Sequence, residues 1–196
     1  AFCGMVGDDD FGHFLMDTLK ENGVAQCVQE LTREATTTMA FVTLDARGER
    51  EFAFARKPGA DTCLRPEELN AAVLDDCRVL HVGSLSLTDE PARGATFAAV
   101  DRAKAAGAVI SYDPNYRAAL WPDAETAARH MRSMAPYVDV MKLSDEETAL
   151  LTDESDPAAA AAVLLAQGVK CAAVTLGADG AFVATASGMR TVPGFA

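Results

Sequence analysis

Residues 109–122 read Val-Ile-Ser-Tyr-Asp-Pro-Asn-Tyr-Arg-Ala-Ala-Leu-Trp-Pro. The apolar run 108–112 follows Gly107 and stops at Asp113-Pro114. Pro114 has no N–H and a fixed φ, so it cannot continue a strand ladder. The chain therefore leaves a strand carrying Asp113, Asn115, Tyr116 and Arg117 on one short loop. Trp121 tethers that loop, and Pro122 precedes a new helix. In open α/β sheets, ligands bind outside the carboxyl ends of the strands. The loop is thus a candidate binding loop, although a turn anchored by a tryptophan would serve structure alone.

The same grammar repeats on both sides of this stretch. Upstream, 79–83 is a short apolar strand ending at Ser84, and Asp89-Glu90-Pro91 opens a helix that runs to Gly107. Downstream, a helix over 123–135 leads to a strand at 138–142. Ser144-Asp145-Glu146-Glu147 then caps another helix, Ser144 and Glu147 having capping-box spacing. Ser155-Asp156-Pro157 opens an alanine-rich helix, 171–176 is a strand, and Gly177-Ala178-Asp179-Gly180 is a tight turn. A last hairpin covers 181–184 and 189–192. Strands alternating with helices predict a mostly parallel sheet with helices on both faces. Three polar loops, 113–121, 144–147 and 177–180, then leave the carboxyl ends of successive strands and converge on one edge.

The first third reads differently. Residues 1–7 form an apolar run with the pattern of a buried strand, and Asp8-Asp9-Asp10 suits the start of a helix over 11–22. Gly4, Gly7 and Gly12 do not have dinucleotide-fingerprint spacing, and three aspartates would repel a pyrophosphate. Residues 36–44 and 49–56 are rich in β-formers around Asp45-Ala46-Arg47-Gly48, which predicts a β-hairpin. Phe52 and Phe54 on it suit either packing or the inner face of a flap.

Bulk properties narrow the function classes. The 196 residues carry 49% hydrophobic and 23% charged side chains, ordinary for one globular domain. A formal net charge of −12 argues against a nucleic-acid partner, which needs a basic face. No apolar run is long enough to span a bilayer. Five scattered cysteines without a Cys-x-x-Cys pair support neither a zinc site nor a redox motif, and fit a reduced, cytoplasmic protein. The three histidines form no catalytic-triad or zinc spacing. The chain begins inside a strand pattern and stops directly after one, so we read it as a piece of a longer protein.

In order, Gly4-Met5-Val6-Gly7-Asp8-Asp9-Asp10-Phe11-Gly12, Gly48-Glu49-Arg50-Glu51-Phe52, Leu80-His81-Val82-Gly83-Ser84, Asp113-Pro114-Asn115-Tyr116-Arg117, Lys142-Leu143-Ser144-Asp145-Glu146-Glu147 and Val174-Thr175-Leu176-Gly177-Ala178-Asp179-Gly180 resemble the ribokinase-like (PfkB) carbohydrate kinases, bacterial fructokinases above all. Each motif is weak alone; their order and spacing across the whole chain are specific. The resemblance implies a three-layer α/β sandwich with a mostly parallel sheet: a body at 1–35 and 62–196 and a small β lid at 36–61. It implies phosphoryl transfer from ATP to a sugar hydroxyl, with Mg²⁺ and, in some members, a monovalent cation.

By the same resemblance, Asn115, Arg117, Phe54 and Arg56 would hold the sugar. Ser144, Thr175, Gly177, Asp179 and Gly180 would meet the nucleotide. Glu147 would organise Mg²⁺ through water, in an Asn-x-x-Glu element whose asparagine is here Ser144. The family's catalytic aspartate belongs to a Gly-Ala-Gly-Asp motif, absent from residues 1–196 and expected beyond Ala196. The first strand of the family, with its substrate-binding aspartate, is likewise absent. Fructokinase, aminoimidazole riboside kinase and 2-keto-3-deoxygluconate kinase all fit the loop, as does a non-catalytic sugar- or nucleotide-binding relative. A homodimer through the lid is compatible with Phe41, Phe52 and Phe54, as is packing within the protomer.

Overall fold

A computed structural model of the chain describes residues 1–25, 31–44, 48 and 50–195. Helix α1 (Asp10–Glu21) is followed by a two-stranded antiparallel sheet, β1 (Met39–Leu44) with β2 (Arg50–Ala55). Residues 45–47 and 49 of the expected hairpin turn lie outside the described residues, as does Cys27. Then come α2 (Ala71–Asp76), β3 (Val79–Gly83), α3 (Ala92–Ala105), β4 (Val109–Asp113), α4 (Ala124–Met134), β5 (Val140–Ser144), α5 (Asp145–Thr152), α6 (Pro157–Ala166), β6 (Cys171–Thr175), β7 (Ala181–Thr185) and β8 (Gly188–Val192). The second sheet has the order β3-β4-β5-β6-β7-β8. Its first four strands are parallel and its last two antiparallel.

Strand alternation decides which face is core. Ile110 and Tyr112 of β4, Met141 and Leu143 of β5, Ala172 and Val174 of β6 and Ala184 of β7 are fully buried or nearly so. All of these except Val174 meet Val100 and Ala103 of α3, Met131 of α4, Leu151 of α5 and Leu164 of α6 in one cluster. Each large side chain buried here contributes on the order of 1.5–3 kcal/mol. The other set, including Val79, Val109, Ser111, Lys142 and Ala173, is half-buried or exposed. Helices α3 to α6 therefore share one face of the large sheet.

Among the described residues, 1–7 pair with the segment that follows α1 at both ends: Phe2 N–H donates to Ala25 O at 2.7 Å, Thr32 N–H donates to Val6 O at 3.0 Å, and Gly7 bridges Thr32 in parallel; residues 26–30 between them lie outside the described residues. A cleft of about 440 Å³, lined by Phe2, Cys3 and Gly4 on one side and residues 80–86 on another, separates this segment from β3. Strand β5 starts at Val140, two residues later than expected, because Ala135–Tyr137 extends the end of α4 as a 3₁₀ turn.

The start of α1 is more than a solvated cap. Asp9 accepts from Gly12 N–H at 2.8 Å, and also from Thr37 N–H and Oγ1 at 2.7 Å each. Those bonds, that from Thr37 N–H foremost, hold its carboxyl below the usual range. Gly12 is required by contact: a Cβ there would lie 1.9 Å from the Gly7 carbonyl oxygen.

Candidate active site

The carboxyl ends of β4, β5 and β6 are adjacent in the sheet, so the loops that follow them share one edge. Pro114 ends the β4 ladder and the chain turns at Asn115, which adopts φ 48°. Asn115 N–H donates to Asp113 Oδ1 at 3.1 Å, the short Asx-type bond that makes such a backbone tolerable for asparagine. Trp121 is buried and stacks on His130, with 6.0 Å between ring centroids. The loop is thereby anchored at its far end, as its sequence suggests.

Glu147 joins two of the three loops. It is 5% exposed, and its two carboxylate oxygens serve different segments. Tyr116 N–H donates to Oε1 at 2.6 Å, and Ser144 N–H donates to Oε2 at 2.8 Å. A buried carboxylate is tolerable when N–H groups satisfy it. Asn115, Tyr116, Arg117, Lys142, Ser144, Glu146 and Glu147 line a cleft of about 240 Å³ above this clamp. Among the described residues its cations are Arg117 and Lys142. Lys142 Nζ lies 3.2 Å from Asp113 Oδ2.

Arg117 faces the small sheet. Its guanidinium carbon sits 5.4 Å from the centroid of the Phe52 ring on β2, and its Nη1–H donates to Tyr116 O at 2.9 Å. The arginine thus connects the β4 loop to the small sheet by a cation–π contact. Phe54 stacks on Phe52 with centroids 6.1 Å apart.

Arg56 stands elsewhere. Its side chain is 6% exposed and pairs with Asp61. It also donates to Thr88 Oγ1 at 2.8 Å and to Leu85 O at 2.7 Å. It fastens the root of the small sheet to the loop after β3, and neither Arg56 nor Phe54 lines the 240 Å³ cleft.

Thr175 lies beside Ser144 in the β5–β6 register, and its hydroxyl donates to Leu143 O at 3.2 Å. Gly177, Asp179 and Gly180 form a 3₁₀ turn one step further out, and Asp179 is exposed. Gly180 has φ 103°, and a Cβ there would come within 2.1 Å of Val192 O and 2.5 Å of Gly194 N. Glycine is therefore needed twice over, by backbone conformation and by close packing. The structure brings Asn115, Arg117, Ser144 and Glu147 into one cleft and sets Thr175 next to it. The sequence reading names Asp113 on the loop but misses Lys142 and the pair the two form. The available signal was a lysine in the otherwise apolar run Val140-Met141-Lys142-Leu143, on the same strand face as Ser144.

Burial defines a second feature of the site floor. Tyr112, fully buried beneath the loop, has no partner for its hydroxyl among the described residues. Burial, then the nearby carboxylates of Glu147 and Asp113, push its phenol well above the ordinary tyrosine range, so it stays neutral.

A mostly parallel sheet with a carboxylate clamp between two adjacent loops, next to a two-stranded sheet, defines an α/β scaffold with a candidate ligand site at the carboxyl ends of its strands. The chain belongs to the pfkB family of carbohydrate kinases, whose model matches residues 1–196. It is 47% identical over 182 residues to probable fructokinase-4 of Arabidopsis thaliana, covering 92% of this chain and 56% of that protein. The fructokinase structure from Xylella fastidiosa superimposes with a TM-score of 0.90 at 37% identity, covering all of this chain and 61% of that one. A Vibrio cholerae O395 fructokinase solved with fructose, ADP and calcium gives 0.86 at 32% identity, over all of this chain and 63% of that one. The chain thus spans about three-fifths of the length of the relatives it matches. Among the described residues, no helix is long and apolar enough to cross a membrane, and no cluster of three His, Cys, Asp or Glu could hold a metal by itself.

Proposed function

We propose that the full-length protein is a cytoplasmic, ATP-dependent sugar kinase that transfers the γ-phosphate to a hydroxyl of fructose. The observation that carries this reading is Glu147, which accepts one N–H from the β4 loop and one from the β5 end. It fixes a sugar loop and a phosphate-side cap at a constant separation, the alignment on which phosphoryl transfer depends. The fructose- and ADP-bound relative supports the choice of ligands. Asn115 and Arg117 would hold the sugar, with Arg117 coupling it to the lid through Phe52. Phe54 would line the inner side of that lid, and Arg56 would act by fixing the lid's root.

Ser144, Thr175 and the turn at Gly177, Asp179 and Gly180 would meet the nucleotide. Both Glu147 oxygens already accept a backbone N–H, so the donor set fits Mg²⁺ held through water better than direct ligation. Bound Mg²⁺ supplies charge neutralisation on the phosphates. The general base would be supplied from outside residues 1–196. The lid, residues 36–61 in our division, would exclude water from the closed site. Its exposed Phe41 and Val42 suit pairing of two lids in a homodimer.

ADP release by the full-length protein tests the assignment. We expect turnover with fructose well above that with ribose, aminoimidazole riboside or 2-keto-3-deoxygluconate. Binding of fructose and ATP without ADP release would replace the kinase reading with that of a binding protein. Preference for the keto acid would move Arg117 from a hydroxyl partner to a carboxylate partner.

A further inference from the structure

We infer that Asp61 makes this site selective for uncharged sugars over sugar acids, by holding the guanidinium of Arg56 away from the substrate. The inference rests on the sugar part of the proposed function. It concerns the 440 Å³ cleft, which Asn115 of the sugar loop borders together with Asp61 and residues 80–86. Among the described residues that line this cleft there is no lysine or arginine, but there are two carboxylates, Asp61 and Asp113. Each has a cation behind it: Asp61 pairs with Arg56, and Asp113 Oδ2 lies 3.2 Å from Lys142 Nζ. His81, the imidazole on this wall, has its Nδ1 3.0 Å from Ser111 Oγ. A sugar hydroxyl can donate to a carboxylate, whereas a substrate carboxylate is repelled by one.

Arg56 is the cation that could reverse this preference. Its side chain is 6% exposed, and each of its nitrogens is engaged. Nε donates to Asp61 Oδ2 at 2.8 Å, Nη1 to Thr88 Oγ1 at 2.8 Å, and Nη2 to Leu85 O at 2.7 Å and again to Asp61 Oδ2. Asp61 and Leu85 both line the cleft, so the guanidinium stands directly behind its wall. Asp61 Oδ1 also accepts from the Thr38 hydroxyl, which fixes the carboxylate from a second side. A guanidinium does not shed its proton, so a buried one needs an anion beside it. Asp61 supplies that anion from within the protein; with a neutral side chain at 61 it would have to come from the ligand. Ser84 suits the neutral reading. Its hydroxyl is fully buried, borders the same cleft and has no partner among the described residues, which leaves it for a hydroxyl of the ligand.

Calorimetric titration of the full-length protein with fructose and with 2-keto-3-deoxygluconate tests this. The wild type should bind fructose the more tightly. Asp61→Ser should shift the preference toward the keto acid roughly 10- to 100-fold, the range of a charge-assisted bond. Adding Arg56→Met to that variant should abolish the shift. Asp61→Ser leaves a buried guanidinium unpaired, so it should unfold at a lower temperature than the wild type. Formate, a carboxylate small enough to stand beside Arg56, should restore part of that difference and leave the wild type unmoved. Asp61→Asn keeps an acceptor for Arg56 without the charge and should shift the preference in the same direction by a smaller factor. A preference within about threefold of the wild type in both Asp61 variants would overturn the inference. So would a shift that survives Arg56→Met, or a wild type that prefers the keto acid. Continued fructose turnover in an unshifted variant would leave the kinase reading standing without the inference. A shift in a protein that phosphorylates neither ligand would uphold Asp61 and sink the kinase reading instead.

Discussion

The two sheets of this protein are built by opposite rules. In the six-stranded sheet, one face is closed by four helices, and Ile110, Tyr112, Met141 and Leu143 have no exposed surface to speak of. In the two-stranded sheet, Phe41 is 54% and Leu44 68% exposed, and β1 has no fully buried residue. A lone hairpin of this kind is marginal in water. Among the described residues its attachments include the Arg56–Asp61 joint at its root and the Arg117–Phe52 interaction at its middle. The body resists rearrangement through packing density, whereas the small sheet has little packing to disrupt if it moves as the proposed lid. Under the proposed function, admitting a sugar and then excluding water would use both kinds of element.

The largest effect should come from the body. Glu147→Ala removes the acceptor for two N–H groups, those of Tyr116 and Ser144, at a nearly buried position. Each N–H left without a partner costs about 1–3 kcal/mol if water cannot reach it, so we expect a loss on the order of 2–4 kcal/mol. Urea unfolding should show it as a lower midpoint with an unchanged slope. Glu147→Gln separates charge from geometry, because one amide oxygen can serve only one of the two donors well. A loss below roughly 0.5 kcal/mol, the size of an ordinary surface change, would mean that the two loops keep their spacing without the clamp.

A lid substitution should leave stability alone and move substrate binding. Phe52→Ala deletes the ring beneath Arg117. A cation–π contact at an exposed site is worth about 0.5–1 kcal/mol, which corresponds to a KM for sugar raised roughly two- to fivefold. The unfolding midpoint should stay near that of the wild type. Phe52→Tyr keeps the ring face and should behave as the parent protein does. If Phe52→Ala lowered the unfolding midpoint as far as Glu147→Ala, the lid would belong to the folding unit of the body and the contrast between the sheets would fail.

What could be read from the sequence follows the range of the forces involved. The β4 loop was legible because Gly107 and Pro114 act on their own backbone, and Trp121 was recognisable as an anchor from its place between an apolar residue and Pro122. The hairpin and the order of strands followed from periodicity. The apolar pattern of residues 1–7 does not show which segment lies beside them; the backbone bonds of Phe2 and Val6 to residues 25 and 32 do. Strand β5 was placed two residues early because Val138 is as buried as a strand residue while closing a 3₁₀ turn with Ala135 O. The role of Glu147 in a cap was visible from spacing three residues after Ser144. Its bond to Tyr116, 31 positions away, was not. Neither were the Arg117–Phe52 interaction and the Lys142–Asp113 pair, which exist only once the strands are side by side.

The smallest effect concerns protons in the helical layer. His130 on α4 stacks against Trp121, and Arg93 Nη1 of α3 lies 3.2 Å from its Nε2. Burial, then the charges of Arg93 and Arg129, hold its imidazole below the ordinary histidine range; Glu90 pulls weakly the other way. Its folded pKa is thus below its unfolded value near 6.5, so the unfolded chain binds more protons in that interval. Stability should then fall as pH is lowered from about 7 through the depressed pKa, and level off below it. His130→Gln keeps a polar side chain at the Trp121 face and removes the titration. The difference in unfolding free energy between wild type and variant should therefore shrink as pH falls through this window. A pH-independent difference would mean that the ring is charged alike in both states and that Arg93 faces it through water. Because Trp121 also anchors the β4 loop, the same acid shift should be accompanied by a rise in the KM for sugar, whereas the rise caused by Phe52→Ala should not depend on pH. That separates a proton effect passing through the body from the removal of a single aromatic ring in the lid.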